Sequence, residues 1–263
     1  MKHINWIVLG ALVAVSGCQT TSRTTTKAAT NDRIEVSDTD YNAKKAAQSR
    51  LALGLKYIER GYMERAKQNL VKAYEHDPDM PDVLYGLGYY YQAVYEFDKA
   101  DDYYRRALRE APDNPDYLNA YGAFLCESKK EYGEGVKYFL RAISEPDYTS
   151  VGETYENAGF CSVNAKQLTQ AEEYFEKALT LNPNLNKSLY GLAQVHYQKG
   201  NAKRAEDYLY RFEGRTKPTA NSLLLGYKVA KETNRRGSMQ SYGEKLMQLF
   251  PNSPQATEYL NIR

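Results

Sequence analysis

The sequence predicts an all-α fold, a right-handed α-solenoid of about six helix-turn-helix pairs, and three observations predict it. A spacing near 34 residues recurs from Gly54 onward. Small residues and a proline return at fixed offsets inside each period, and no stretch beyond residue 42 has the two-residue alternation of a half-buried strand. With Gly54, Gly88 and Gly159 as anchors, Ala follows twelve residues on (Ala66, Ala100, Ala171), Ala again nineteen on (Ala73, Ala107, Ala178) and Pro twenty-four on (Pro78, Pro112, Pro183). The glycine and the first alanine let two antiparallel helices approach closely. The second alanine admits the next pair, and the proline ends the second helix.

In chain order, residues 1–17 read as a signal peptide: a basic start at Lys2, an apolar run from Ile4 to Val15, then Val15-Ser16-Gly17-Cys18. The run is too short to span a bilayer as a mature helix. It resembles a bacterial lipoprotein signal whose lipobox ends at Cys18, which implies cleavage before Cys18 and lipidation of that residue. Gln19 follows where an inner-membrane retention signal would place Asp, so the expected destination is the outer membrane. Residues 18–42 are rich in Thr, Ser, Lys, Ala and Asp, too polar to offset the entropy of ordering. Such a tether has a root-mean-square span of roughly 25 to 30 Å.

The repeat domain is expected over residues 43–263. Its first, second and fourth units carry the anchors above. The third, on Gly122, has Gly135 and Ala142 one residue late, so one residue is inserted near "SKKEY". The fifth has Ala193 in the glycine position and Ala205 twelve on, with Phe212 and Lys217 replacing the later Ala and Pro. The sixth runs from Leu223 through Gly226 to Pro251, and "SPQATEYLNIR" is read as a short helix covering its end. A period near 34 is that of the tetratricopeptide repeat. In that architecture the first helix of each pair lines a concave groove, through residues three before, one after and four after the anchor.

Those offsets sort the 25 tyrosines. In "LYGLGYYYQ", Tyr85 and Tyr89 face the groove with Gln92, Tyr91 faces the partner helix and Tyr90 the neighbouring unit. The other groove residues are Leu51, Leu55 and Ile58; Asn119, Ala123 and Cys126; Glu156, Phe160 and Val163; Tyr190, Gln194 and Tyr197. Aromatic and apolar side chains at groove offsets suit a docking surface. Tyr57, Tyr104 and Phe175 fall at core offsets.

A net charge of +2 argues against a dedicated nucleic-acid binder, although the charge is unevenly placed. Residues 75–116 hold eleven acidic and four basic side chains, and residues 186–263 six and thirteen. His76 and His196 have no ligand-spaced partner, so no metal site is expected, and no cofactor. No phosphate loop or nucleophile motif is present, and the acidic pairs Asp101-Asp102 and Glu172-Glu173 read as solvated. An enzyme is not expected. Cys126 and Cys161 fall in adjacent first helices at similar height. In an exported protein they are expected to pair, the alternative being two buried free thiols.

Lipobox, repeat number and the cysteine pair together resemble the type IV pilus biogenesis lipoproteins of the PilF/PilW family, the pilotins of the pilus secretin. The resemblance implies a periplasmic domain, lipid-anchored in the outer membrane, that binds secretin subunits and promotes their multimerisation, with the first repeats as the contact surface. The alternative is a tetratricopeptide adaptor lipoprotein serving envelope proteases, peptidoglycan enzymes or outer-membrane protein insertion.

Overall fold

A computed structural model describes residues 38–263. The expected signal peptide, the expected lipidation site Cys18 and most of the expected tether lie outside the described residues. Residues 38–42, expected in the tether, are helical instead: the first helix, α1, spans Asp38–Glu59. The chain then forms α2 (Met63–His76), α3 (Pro81–Ala93), α4 (Phe97–Glu110) and α5 (Pro115–Phe124). It continues through α6 (Tyr132–Ser144), α7 (Val151–Asn164), α8 (Leu168–Leu181), α9 (Asn186–Gln198) and α10 (Ala202–Glu213). Last come α11 (Ala220–Glu232), α12 (Arg236–Leu249) and α13 (Pro254–Ile262), with no strand among the described residues. Odd-numbered helices up to α11 pair with the even-numbered helix that follows, and neighbouring pairs stack.

The anchor spacing works by one contact. Sixteen residues after Gly88, Tyr104 lays its ring on the glycine, and a Cβ on Gly88 would lie 2.8 Å from the ring. The same position carries Leu70 and Phe175 in the first and fourth pairs, both fully buried. The alanines of the pattern, from Ala66 to Ala178, are likewise without exposed surface. Burial of this row, at about 25 cal/mol per Å² of apolar area, is what ties each pair together.

Each pair reverses through one residue in the left-handed region: Gly61, Tyr95, Lys130, Lys166, Gly200 and Asn234, with φ between 54° and 75°. The amide of the next residue then donates back into the last turn of the first helix, as from Tyr62 to the Tyr57 carbonyl and from Glu96 to that of Tyr91, both at 2.9 Å. This is the Schellman closure, and glycine makes it without the steric cost that Tyr95 bears.

The inserted residue of the third pair takes a definite form. Helix α5 runs on into a π-helical turn, Leu125–Lys129, which accommodates one extra residue before Lys130. Residues 145–150 then form a longer connection than residues 77–80, 111–114 or 182–185. Buried Tyr148 fills it, its hydroxyl 2.7 Å from Thr154 Oγ1.

At the end of the stack α13 packs on α11 and α12, with Tyr259 edge-on to Tyr227 at 4.9 Å, as the final-helix reading anticipated. Ser253 caps α13 by accepting from the Ala256 amide, and Pro254 opens it.

Candidate functional site: the concave face

The first helices stand side by side, and their groove-offset residues meet across the repeat boundaries. Leu51 and Ile58 are less available than their offsets suggest. They are 8% and 6% exposed, packed in a core shared with Leu70, Val83 and Leu87, because α1 and α3 lie close together. Leu55, Tyr85 and Tyr89 remain half-buried and form the apolar part of the face.

Tyr85 is held on two sides. Its ring stacks on Tyr117 at 5.2 Å and tilts against Tyr104 at 6.0 Å. Burial pushes its hydroxyl up to about 12, with Tyr89 and Asp116 adding to the shift. Tyr89 is raised by burial and then by Glu59. Gln92, at the third offset, accepts from the Tyr104 hydroxyl at 2.8 Å and so serves the core. Tyr91 stacks on Tyr103 of the partner helix at 5.4 Å, and buried Tyr90 packs into the cluster of the first pair, as expected for each.

Farther along, the face turns polar. Asn119 is buried and accepts from Asn157 Nδ2 at 3.1 Å, linking α5 to α7. Glu156, 5% exposed, accepts from Ser188 Oγ at 2.8 Å, linking α7 to α9. Burial raises its carboxyl, opposed by the Ser188 hydrogen bond and by Lys187. Phe160 packs edge-on to Phe175 at 4.9 Å, and Tyr190 tilts against Phe212 at 5.6 Å. Tyr197 is half-buried against the cluster of the fifth pair.

The structure joins Cys126 to Cys161, with Cα atoms 5.6 Å apart. Gly135 stands where the first, second, fourth and fifth pairs carry Ala, and a Cβ there would run into Cys126 Sγ. Both cysteines are buried, at the junction of the third and fourth pairs.

Two features were invisible to the offset rule. One is a set of carboxylates outside the three offsets. Asp82, Asp116 and Glu153 lie six before their anchors, about a turn before the first offset, and Glu59 and Glu127 five after, about a turn beyond the second; extending the face from those two offsets by its 3.6-residue period finds them. The other corrects the reading of the acidic pairs. Asp101 accepts from the Tyr121 hydroxyl at 2.7 Å and pairs with Arg105 at 3.1 Å. Glu172 lies 3.5 Å from buried His196 and also pairs with Lys199. One member of each pair thus works inside the fold, while Glu173 faces outward to Lys177. Burial lowers the pKa of His196 and favours the neutral ring. Among the described residues no group of three or more His, Cys, Asp or Glu is placed to hold a metal ion.

The tetratricopeptide repeat pattern matches residues 57–124 and 163–211, and the interval between them contains the π-helical turn and both cysteines. Type IV pilus assembly protein PilF of Pseudomonas aeruginosa is 36% identical over 221 residues, spanning 84% of this chain and 87% of that protein. The chain belongs to the PilF family. The structure of Pseudomonas aeruginosa PilF superposes with a TM-score of 0.74 at 35% identity, over 84% of this chain and all of that one. The crystal structure of PilW, a widely conserved type IV pilus biogenesis factor, gives 0.77 at 27% identity over 81% and 98%. The PilF and PilW matches span nearly the whole of those structures, so the family resemblance extends through the solenoid.

Proposed function

We propose that this member of the PilF family is a non-enzymatic factor of type IV pilus biogenesis. In this reading it is an outer-membrane lipoprotein, anchored through Cys18, whose concave face binds secretin subunits and promotes their multimerisation. The observation that carries the proposal is the 36% identity to PilF across 84% of the chain. A groove of half-buried Leu55, Tyr85 and Tyr89 at its first two pairs adds to it. Apolar and aromatic side chains on a preformed helical groove suit capture of a polypeptide segment. Among the described residues no helix is long and apolar enough to cross a membrane, and in the proposal the N-terminal lipid holds the protein there.

The test is affinity capture from detergent-solubilised envelopes followed by mass spectrometry, beside a gel assay of heat-stable secretin multimers in cells lacking the protein. Secretin in the captured fraction and multimers lost in the deletion strain support the proposal. Capture of envelope proteases, peptidoglycan enzymes or outer-membrane insertion components without secretin would instead support the adaptor reading.

A further inference from the structure

Along the concave face the charge changes sign. The groove positions of the first four pairs hold Glu59, Asp82, Asp116, Glu127, Glu153 and Glu156 and no Lys or Arg, whereas the fifth pair presents Lys187. Among the described residues none of these six carboxylates forms an ion pair. Their hydrogen bonds come from neutral groups: Tyr117 to Asp82, Asn182 to Glu153 and Ser188 to Glu156. Elsewhere on the surface, carboxylates such as Glu134 and Glu173 have lysine partners. Two of the six act directly on the apolar floor. Glu59 acts on Tyr89 and Asp116 on Tyr85, after burial in both cases. Desolvation by the surrounding chain raises Glu127, although its side chain keeps exposed surface, and Lys130 and then Lys187 pull it back; burial raises Glu156, with Lys187 among the groups that oppose it.

We propose that the segment held by this groove is both apolar and basic: apolar side chains lie against Leu55, Tyr85 and Tyr89, and Lys or Arg side chains meet the accessible carboxylates Asp82, Asp116, Glu127 and Glu153, while buried Glu156 stays with Ser188. Charge complementarity selects this occupant. The chain as a whole carries +2, so a cationic segment is drawn here by local charge and not by the net charge of the protein. The inference rests on the groove being the docking surface, as proposed above, and it specifies the chemistry of what docks.

The probes are two fluorescein-labelled amphipathic peptides of equal length, one of Leu and Lys, the other of Leu and Glu, titrated with the mature domain and read by anisotropy. The lysine peptide is expected to bind at least about tenfold more tightly than the glutamate peptide, and to weaken as salt is added. Asp116→Lys with Glu127→Lys should weaken it by about tenfold or more, whereas Glu110→Lys with Asp113→Lys, an equal charge change off the groove, should alter it less than about threefold. All four positions are exposed, and circular dichroism checks the fold of each variant. Equal or tighter binding of the glutamate peptide overturns the inference, as does an off-groove pair that weakens binding as much as the groove pair. Capture from envelopes separates this from the secretin proposal. Full secretin capture by the Asp116→Lys, Glu127→Lys variant sinks the charge inference alone. A wild-type protein that captures no secretin yet binds the lysine peptide through the groove sinks the secretin proposal alone.

Discussion

The ring of Tyr85 on α3 lies nearly parallel to that of Tyr117 on α5, 5.2 Å away and inclined by 19°. A residue whose offset marks it for the groove thus gives one face to the next repeat. The backbones of α3 and α5 approach less closely than those of α1 and α3, and aromatic rings fill the difference. Tyr85, Tyr104, Tyr117, Tyr121 and Phe124 make a continuous set of contacts there. Much of the tyrosine content is spacer between helices, with hydroxyls that reach polar partners such as Asp82 and Asp101.

Substitutions should therefore fall into three grades. Tyr104→Ala removes a fully buried ring and should cost about 3 to 5 kcal/mol. Tyr85→Ala, half-buried, should cost about 1 to 3 kcal/mol, so part of any lost binding reflects lost fold. Tyr89→Ala should cost less than either and still weaken partner capture. Urea denaturation of the three variants, beside secretin multimer levels, checks the order. A Tyr89 variant with full multimer assembly removes that ring from the contact surface.

Tyrosine ionisation gives a second test. Burial raises the hydroxyl pKa values of Tyr85, Tyr104, Tyr117, Tyr121 and Tyr242, and carboxylates at Asp82, Asp101 and Glu213 add to the shifts of Tyr117, Tyr121 and Tyr242 respectively. A folded-state pKa above the unfolded value of about 10 means that stability is intact below that pH and is lost as pH rises beyond it. In a spectrophotometric titration these five rings should ionise only above the ordinary value, together with loss of helical circular dichroism. A single ionisation step with the fold intact would contradict the burial assigned to these rings.

The Cys126–Cys161 bond closes a loop of 35 residues and should contribute about 3 to 4 kcal/mol through restriction of the unfolded chain. Thiol titration of the unfolded, unreduced mature domain should find neither cysteine free, and reduction should lower the thermal midpoint. Two reactive thiols would mean that the protein carries the pair reduced.

Intact mass of protein extracted from membranes should show residues 1–17 removed and Cys18 carrying lipid. A soluble product beginning at another residue would rule out the anchor.

The helix pairs were legible in the sequence because close packing imposes residue size at fixed intervals: a ring such as Tyr104 can sit on α3 only where Gly88 leaves room. The third-pair insertion was legible as a count, but not as the π-helical turn at Leu125–Lys129, since several backbone forms absorb one residue. The groove was legible in outline. Offsets assign a side chain to a helical face but do not fix how far the neighbouring helix stands away. That distance buries Leu51 and Ile58 where α1 and α3 are close and sets Tyr85 against Tyr117 where α3 and α5 are not. Asp101 and Glu172 escaped for a related reason, because their partners Tyr121 and His196 come from the following repeat.

The left-handed residues at 61, 95, 130, 166, 200 and 234 are separated by 34, 35, 36, 34 and 34 positions. In the language of layered crystals, the third pair is a stacking fault between two regular blocks. Faults are where layers slip, because nearest-neighbour contacts carry nearly all the cohesion of such a stack. The covalent link between Cys126 and Cys161 ties the faulted third pair to the block that follows it, so these two layers cannot slip past each other.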